Sequence, residues 1–260
     1  MNIPVADLQK RVSSHFEVLG LSDEHAAQMA EVILEAESEG NAGHGLSRIA
    51  QYTAQLRARG LNTKPAMRLE RTKPGVAVLH ADGAPGPVAG LRAVRELTSL
   101  AKEQGNATAA VRNAGHSGVL SAYVGRLARQ GLVGLAFANT PIALGAPADP
   151  EPVIIDPSVS VVARGKIINA AKRGEPIPEG WALDKSGNPT TDAKAALEGS
   201  LIPIGGGKGF ALAVLVEVLA GALAGDILSS DLPVPWGPPE QTSKPGLLLV
   251  AFDPAAFGGR

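Results

Sequence analysis

The 260-residue chain contains no cysteine, which excludes disulfides, thiolate nucleophiles, Cys-ligated zinc and cysteine-held iron–sulfur clusters together. A reducing cytoplasm is the expected location. The chain also lacks a charge excess. Its 24 Lys and Arg face 25 Asp and Glu, a net charge of −1, so no basic field exists for nucleic acid or an anionic membrane. Met1 to Asp7 shows neither a basic n-region nor an apolar h-region, so no secretory signal is read there. Gly209 to Leu228 approaches the length of a membrane span, but Glu217 sits near its centre and Gly221 and Gly225 dilute it. It is read as a helix of a globular protein.

Several familiar motifs are missing as well. Gly205-Gly206-Gly207-Lys208-Gly209 has Ile202 where a P-loop needs its first glycine, and Gly209 where the magnesium-binding hydroxyl would stand. No G-x-G-x-x-G follows a predicted strand, so the Rossmann fingerprint is absent. Gly115-His116-Ser117-Gly118 has Val119 where a nucleophile elbow requires glycine. The histidines His15, His25, His44, His80 and His116 form no H-x-x-x-H pair, and no metal site is expected.

What is present reads as helices followed by alternating strands and helices. Residues 5–18 form a first helix, and Ser22 caps a second that ends at Gly40. A third starts near Gly45, turns Ile49, Tyr52 and Leu56 inward and stops at Gly60. Strands are expected at 76–79, 108–111, 135–138, 153–155 and 247–252. Helices are expected at 88–104, 120–130, from Ser160 to about residue 173, and at 209–223, with Leu232–Pro239 a proline-rich loop. This order predicts an α/β fold with a largely buried sheet.

His44 and Arg48 carry the first chemical signal. Four residues apart at a helix start, they are expected on one face. A helix amino terminus favours the neutral imidazole, which can accept a proton. Arg48 is the residue type for a bidentate grip on a carboxylate. A proton acceptor beside a carboxylate clamp suits an oxidoreductase of 2-hydroxy or 2-oxo acids; the plainer reading is a helix-start His and a solvated Arg.

Gly43-His44-Gly45-Leu46-Ser47-Arg48 resembles the S-H-G-x-x-R signature of the type 2 malate/L-lactate dehydrogenase family, which is unrelated to the Rossmann-type lactate dehydrogenases. The resemblance continues through Asn113-Ala114-Gly115-His116-Ser117-Gly118, similar to the family's N-x-x-H-x-G stretch. It then runs through DPSVSVVARGKIINAAKR (156–173), PIPEGWALDKSGNPTTD (176–192), LIPIGGGKGFALAVLVEVLAGALAG (201–225) and FDPAAFGG (252–259). The blocks cover most of the chain in family order, and the form around Lys166 is closest to hydroxy-acid and sulfolactate-like members.

The resemblance implies the family's own non-Rossmann α/β fold, with residues 1–70 a helical segment carrying the catalytic His and Arg and 71–260 an NAD(P)-binding domain. It implies interconversion of a small 2-hydroxy acid and its 2-oxo acid with NAD or NADP, by a homodimer. His44 would be the general acid/base and Arg48 the carboxylate clamp. His116, Ser117, Gly118, Asp156, Pro157, Ser158 and Lys208 fall on stretches that line the cofactor in relatives. Three residues depart from the pattern: Gly43 replaces Ser, Lys166 stands where imine-reducing members carry an acid, and Gly207 replaces His. Relatives are also longer between Phe137 and Val153, where Asn139-Thr140-Pro141 reads as a trace of their G-T-N-P segment, and beyond Arg260. The alternative to a working dehydrogenase is a shortened, catalytically impaired member acting as a dimer scaffold or weak nucleotide binder.

Overall fold

The computed structural model describes residues 3–138, 141–225, 227–233 and 237–258. Asn139 and Thr140, and the 234–236 part of the proline-rich loop, lie outside the described residues. The chain forms two compact units, Met1–Asp156 together with Glu217–Arg260, and Pro157–Val216.

The first unit opens with α1 (Val5–Val18) and α2 (Asp23–Ser38), the latter capped by the Ser22 hydroxyl, which accepts from the His25 amide at 3.3 Å. A 3₁₀ turn (Leu46–Arg48) leads into α3 (Ile49–Arg57). Then come β1 (Arg68–Lys73), β2 (Val76–His80), α4 (Gly86–Gln104), β3 (Asn106–Arg112), α5 (Ser121–Arg129), β4 (Val133–Ala138), β5 (Ile142–Ala146) and β6 (Val153–Ile155). The second unit carries α6 (Arg164–Arg173), the two-residue strands β7 (Ala182–Leu183), β8 (Pro189–Thr190) and β9 (Ser200–Leu201), and α7 (Ala193–Glu198). Helix α8 (Gly207–Glu217) continues as a π-helical turn at Val218–Leu223, and β10 (Leu247–Phe252) ends the strand set.

Seven strands form one sheet in the order β1-β2-β3-β10-β4-β5-β6, in which β2 and β3 are parallel and every other pair is antiparallel. The last strand is thus inserted at the centre. Leu249 sits between Ala109 of β3 and Ala136 of β4, and Leu247 between Val111 and Ala138. Alanines on the strands let α4 and α5 approach closely, and Leu79, Leu97, Val111, Leu127 and Leu249 fill the layer between. A second cluster unites α1, α2 and α3 through Phe16, Met29, Ile33, Tyr52 and Leu56, with Val88 of α4. Unit two has its own small core around Ile167, Ala170, Ile177 and Ala182, and Asp192 caps α7 by accepting the Lys194 amide at 2.8 Å.

The expected α/β architecture is present, with local corrections. Strand β1 has the sequence RLERTK, too polar to signal a strand. It is an exposed edge, where charge is compatible with pairing on one side. The short β5 follows Pro141 and carries Gly145, which masks its pattern. Helix α6 begins at Arg164 and not at Ser160. Ser160 instead bridges to Pro203, and its hydroxyl donates to the Val162 carbonyl at 2.8 Å.

One close approach governs the region between α4 and the segment after β3. A Cβ at Gly86 would collide with the carbonyl oxygens of Gly115 and His116, which are backbone atoms that cannot swing away. Gly86→Ala is therefore expected to lower stability by about 2 kcal/mol or more, read as a shift in urea midpoint. An unchanged midpoint would contradict this packing.

Candidate active site

The His44 loop begins where α2 ends. The Asn41 amide donates to the Ala36 carbonyl at 2.8 Å, and the His44 amide donates to the Asn41 carbonyl at 2.8 Å. Glu37 then reaches forward and accepts the Leu46 amide at 2.9 Å, capping the 3₁₀ turn. Gly45 makes this possible, since a Cβ there would collide with the Glu37 side chain. His44 therefore stands in the turn before the helix, and not on the helical face that its spacing from Arg48 predicts. The two remain electrostatically coupled.

His44 Nδ1 is 3.0 Å from Asn41 Oδ1. An amide oxygen only accepts, so Nδ1 carries the proton and Nε2 keeps a lone pair. The imidazolium is disfavoured. Burial, and then the neighbouring Arg48 guanidinium, push the His44 pKa down to about 4. The helix terminus invoked from the sequence is not among these causes.

Arg48 is anchored by its own loop. Its Nε donates to the Gly43 carbonyl at 2.6 Å and Nη1 to Gln51 Oε1 at 2.7 Å. Among the described residues no carboxylate lies within ion-pair distance of it, so its charge is available to an anionic ligand. At Gly43, the serine position of the S-H-G-x-x-R signature, the nearest atom to a Cβ would be Asn41 Oδ1 at 3.9 Å, so a Cβ fits there.

His116 stacks on His44 with ring centroids 5.5 Å apart and an interplanar angle of 19°. The Gly118 amide donates to His116 Nδ1 at 3.1 Å, which fixes the opposite tautomer, with the proton on Nε2. The Tyr52 hydroxyl lies 3.2 Å from both His116 Nδ1 and the His116 carbonyl oxygen. Burial pushes Tyr52 up to about 12, against the pull of Arg48, so the phenol stays a donor. Burial, then Arg48 and His44, hold His116 well below the usual histidine range.

The 116–118 turn follows the carboxyl end of β3, beside its parallel neighbour β2, where α/β sheets place ligands. Gly118 has φ +75°, and the buried Ser117 hydroxyl has no hydrogen-bond partner among the described residues. Asp156 does not face this turn as an isolated acid. It caps α5, accepting the Ser121 amide at 2.8 Å and the Leu120 amide, while the Ser121 hydroxyl donates to Glu39 at 2.8 Å. Burial raises the Asp156 pKa, the two backbone donors oppose it, and Glu39 adds to the rise.

Pro157, Ser158 and Lys208 belong to the second unit. The Ser158 and Ser160 hydroxyls are 2.5 Å apart. Lys208 is exposed in the first turn of α8, after Gly205 and Gly206 with φ +62° and +61°. Nothing lies within 4 Å of a Cβ built at Gly207, so a larger residue fits there too. Asn41, Glu37 and Tyr52 were not singled out from the sequence as site residues. The nearest signal was the spacing that puts Asn41 three residues before His44 and Tyr52 four after Arg48.

The α/β scaffold thus presents a neutral imidazole with a bare Nε2 beside a guanidinium that has no ion-pair partner among the described residues, an arrangement able to receive a carboxylate. The chain belongs to the malate/L-lactate dehydrogenase family, whose model matches residues 3–260. It is 39% identical over 259 residues to the (2R)-3-sulfolactate dehydrogenase (NADP(+)) of Chromohalobacter salexigens, covering 93% of this chain and 78% of that one. It is 33% identical over 256 residues to the malate/(S)-sulfolactate dehydrogenase of Methanothermus fervidus, covering 92% and 75%. Its fold matches a dehydrogenase from Sinorhizobium meliloti with a TM-score of 0.92 at 33% identity, over 98% of this chain and 80% of that one.

Two spectroscopic outcomes follow. Nitrogen-15 spectra of the imidazoles at neutral pH are expected to show the Nδ1–H tautomer for His44 and the Nε2–H tautomer for His116, with His44 titrating near 4. Because the unfolded value is about 6.5, the unfolded chain binds more protons than the native one between pH 6.5 and about 4. The stability tied to the neutral His44 is complete above pH 6.5 and is lost as the pH falls through that window. A His44 signal titrating near 6.5 would contradict the site geometry.

Proposed function

We propose that the protein is an NAD(P)-dependent dehydrogenase that interconverts a small 2-hydroxy acid and its 2-oxo acid by hydride transfer. The observation that carries this reading is the His44–Arg48 loop: one side chain offers a bare Nε2 and the next offers a fixed cation. Names of relatives that act on sulfolactate and malate support the substrate class.

The cofactor would be NAD or NADP. The residues proposed to line it are His116, Ser117 and Gly118, with Asp156, Pro157, Ser158 and Lys208. The orphaned Ser117 hydroxyl is compatible with a ligand against that turn. Asp156 would act by fixing the start of α5 and with it the turn. When bound, the nicotinamide supplies the hydride acceptor or donor.

In this mechanism Arg48 takes the substrate carboxylate and orients C2. His44 Nε2 removes the hydroxyl proton in oxidation and returns it in reduction. The bound carboxylate offsets the Arg48 charge that helps hold His44 neutral, so His44 becomes a stronger base once substrate is present. Tyr52 keeps His116 in register as a hydrogen-bond donor.

On this reading residues 1–70 carry the acid/base and substrate groups, and 71–260 carry the cofactor contacts. A homodimer is proposed because Phe210, Val214, Leu215, Val218 and Leu223 all remain about half exposed or more along α8 and the turn after it. A cytoplasmic location is proposed from the absence of cysteine. No helix of the described residues is long and apolar enough to cross a membrane.

Nicotinamide fluorescence is expected to show saturable binding of NADH or NADPH, and a screen of 2-oxo acids to give turnover with the cofactor that binds. His44→Ala is expected to retain cofactor affinity but lose about 10²–10⁴-fold in kcat. Arg48→Lys is expected to raise KM, because a point charge replaces the planar fork. Failure of both cofactors to bind would overturn the proposal.

A further inference from the structure

A cleft in the first unit has a volume of about 530 Å³ and none of His44, Arg48 or His116 in its lining. Its floor includes the buried Leu56 and Leu61, and its rim carries Arg59, Asp82, Asn113 and Lys244. Among the described residues, only three non-glycine residues adopt a left-handed backbone: Arg59 at φ +60°, Asp82 at +54° and Asn113 at +55°. All three line this one cleft. Asp and Asn tolerate that conformation; arginine does not favour it.

Arg59 occupies a position usually taken by glycine. The Gly60 amide donates to the Gln55 carbonyl at 2.9 Å and the Arg59 amide to the Leu56 carbonyl at 3.1 Å, the Schellman closure of α3 with Arg59 as its left-handed residue. The Gln55 and Leu56 carbonyls at this helix end are thereby satisfied, and Arg57 already supplies a cation in the last turn. Helix capping alone therefore does not explain an arginine at this position.

Lys244 is brought to the same cleft by a built contact. Gly60 has no room for a Cβ, because the Pro239 carbonyl and the Thr242 hydroxyl press on it, and the buried Thr242 hydroxyl donates to the Pro239 carbonyl at 2.9 Å. The Lys244 ammonium then lies 3.9 Å from a Cβ position at Gly83. Among the described residues neither Arg59 nor Lys244 has a side-chain hydrogen bond or ion-pair partner. Asp82, the carboxylate in the lining, is committed elsewhere: its Oδ2 accepts Asn62 Nδ2 at 3.0 Å and the Ala66 amide at 2.9 Å.

We propose that this cleft binds a small organic dianion, a dicarboxylate or a phosphate monoester, between Arg59 and Lys244. Two cations without ion-pair partners among the described residues, against one occupied carboxylate in the same lining, give the charge preference, and the volume suits a metabolite-sized ligand. The left-handed backbone at Arg59 is the conformational cost that holds its side chain at the rim. The cleft shares α3 with the catalytic loop, Leu56 lying one turn beyond Tyr52.

The test is calorimetric titration with inorganic phosphate and with malonate, in an Arg48→Ala background that removes the competing carboxylate grip. One saturable site per chain is expected for at least one of the two anions, and which one binds identifies the ligand class. Lys244→Gln and Arg59→Gly are each expected to weaken binding about tenfold. Arg59→Gly is also expected to raise the melting temperature, because glycine relieves the left-handed strain. A residue that merely caps the helix would change stability without changing binding. The proposal is overturned if neither anion saturates by about 50 mM, or if binding survives both substitutions unchanged.

Discussion

Asn41 Oδ1 accepts from His44 Nδ1, and the identity of the site's proton acceptor depends on that bond. It fixes the tautomer, leaves Nε2 as the bare nitrogen, and ties the imidazole to the turn that ends α2. Without it the ring could rotate or exchange tautomers, and burial alone would give a neutral histidine with no defined base. The bond exists because α2 stops at Ser38 and Asn41 folds back onto the Ala36 carbonyl. Glu37 then holds the next turn by accepting the Leu46 amide. The last turn of one helix and the first turn of the next are thus closed by the same few residues.

Electrostatics complete the arrangement. Burial disfavours the imidazolium form of both stacked rings, and the neighbouring guanidinium disfavours it further. Both rings are therefore neutral, and Arg48 is the positive charge beside them. Such a site attracts a carboxylate and responds to it, since the arriving charge removes part of what disfavours the imidazolium. Opposite tautomers on His44 and His116 give the two rings different duties. His44 presents an acceptor, and His116 is locked by the Gly118 amide and Tyr52.

The helices and buried strands were legible because their periodicity is driven by burial: Met29 and Ile33 on α2, Leu97 on α4, and the apolar run 247–252 all read correctly. Strand β1 was not legible, since an exposed edge places no apolar demand on its residues. The start of α6 was misread because Ser160 has the chemistry of a cap but is used in a bridge to Pro203. His44 and Arg48 stood out through residue type and spacing, although the physical link is a loop and not a helical face. Tyr52 read as a core residue, which it is. That its hydroxyl also meets His116, 64 positions later, is a tertiary fact with no local signature.

The most direct test of the account is the pH dependence of hydroxy-acid oxidation. If His44 is the base, kcat/KM for the free enzyme is expected to hold a plateau through neutral pH and to fall only as the pH approaches about 4. The corresponding limb in kcat is expected at higher pH, because bound substrate cancels the Arg48 contribution. A kcat/KM limb at or above about 6.5, the ordinary histidine value, would contradict the account and place the proton acceptor elsewhere.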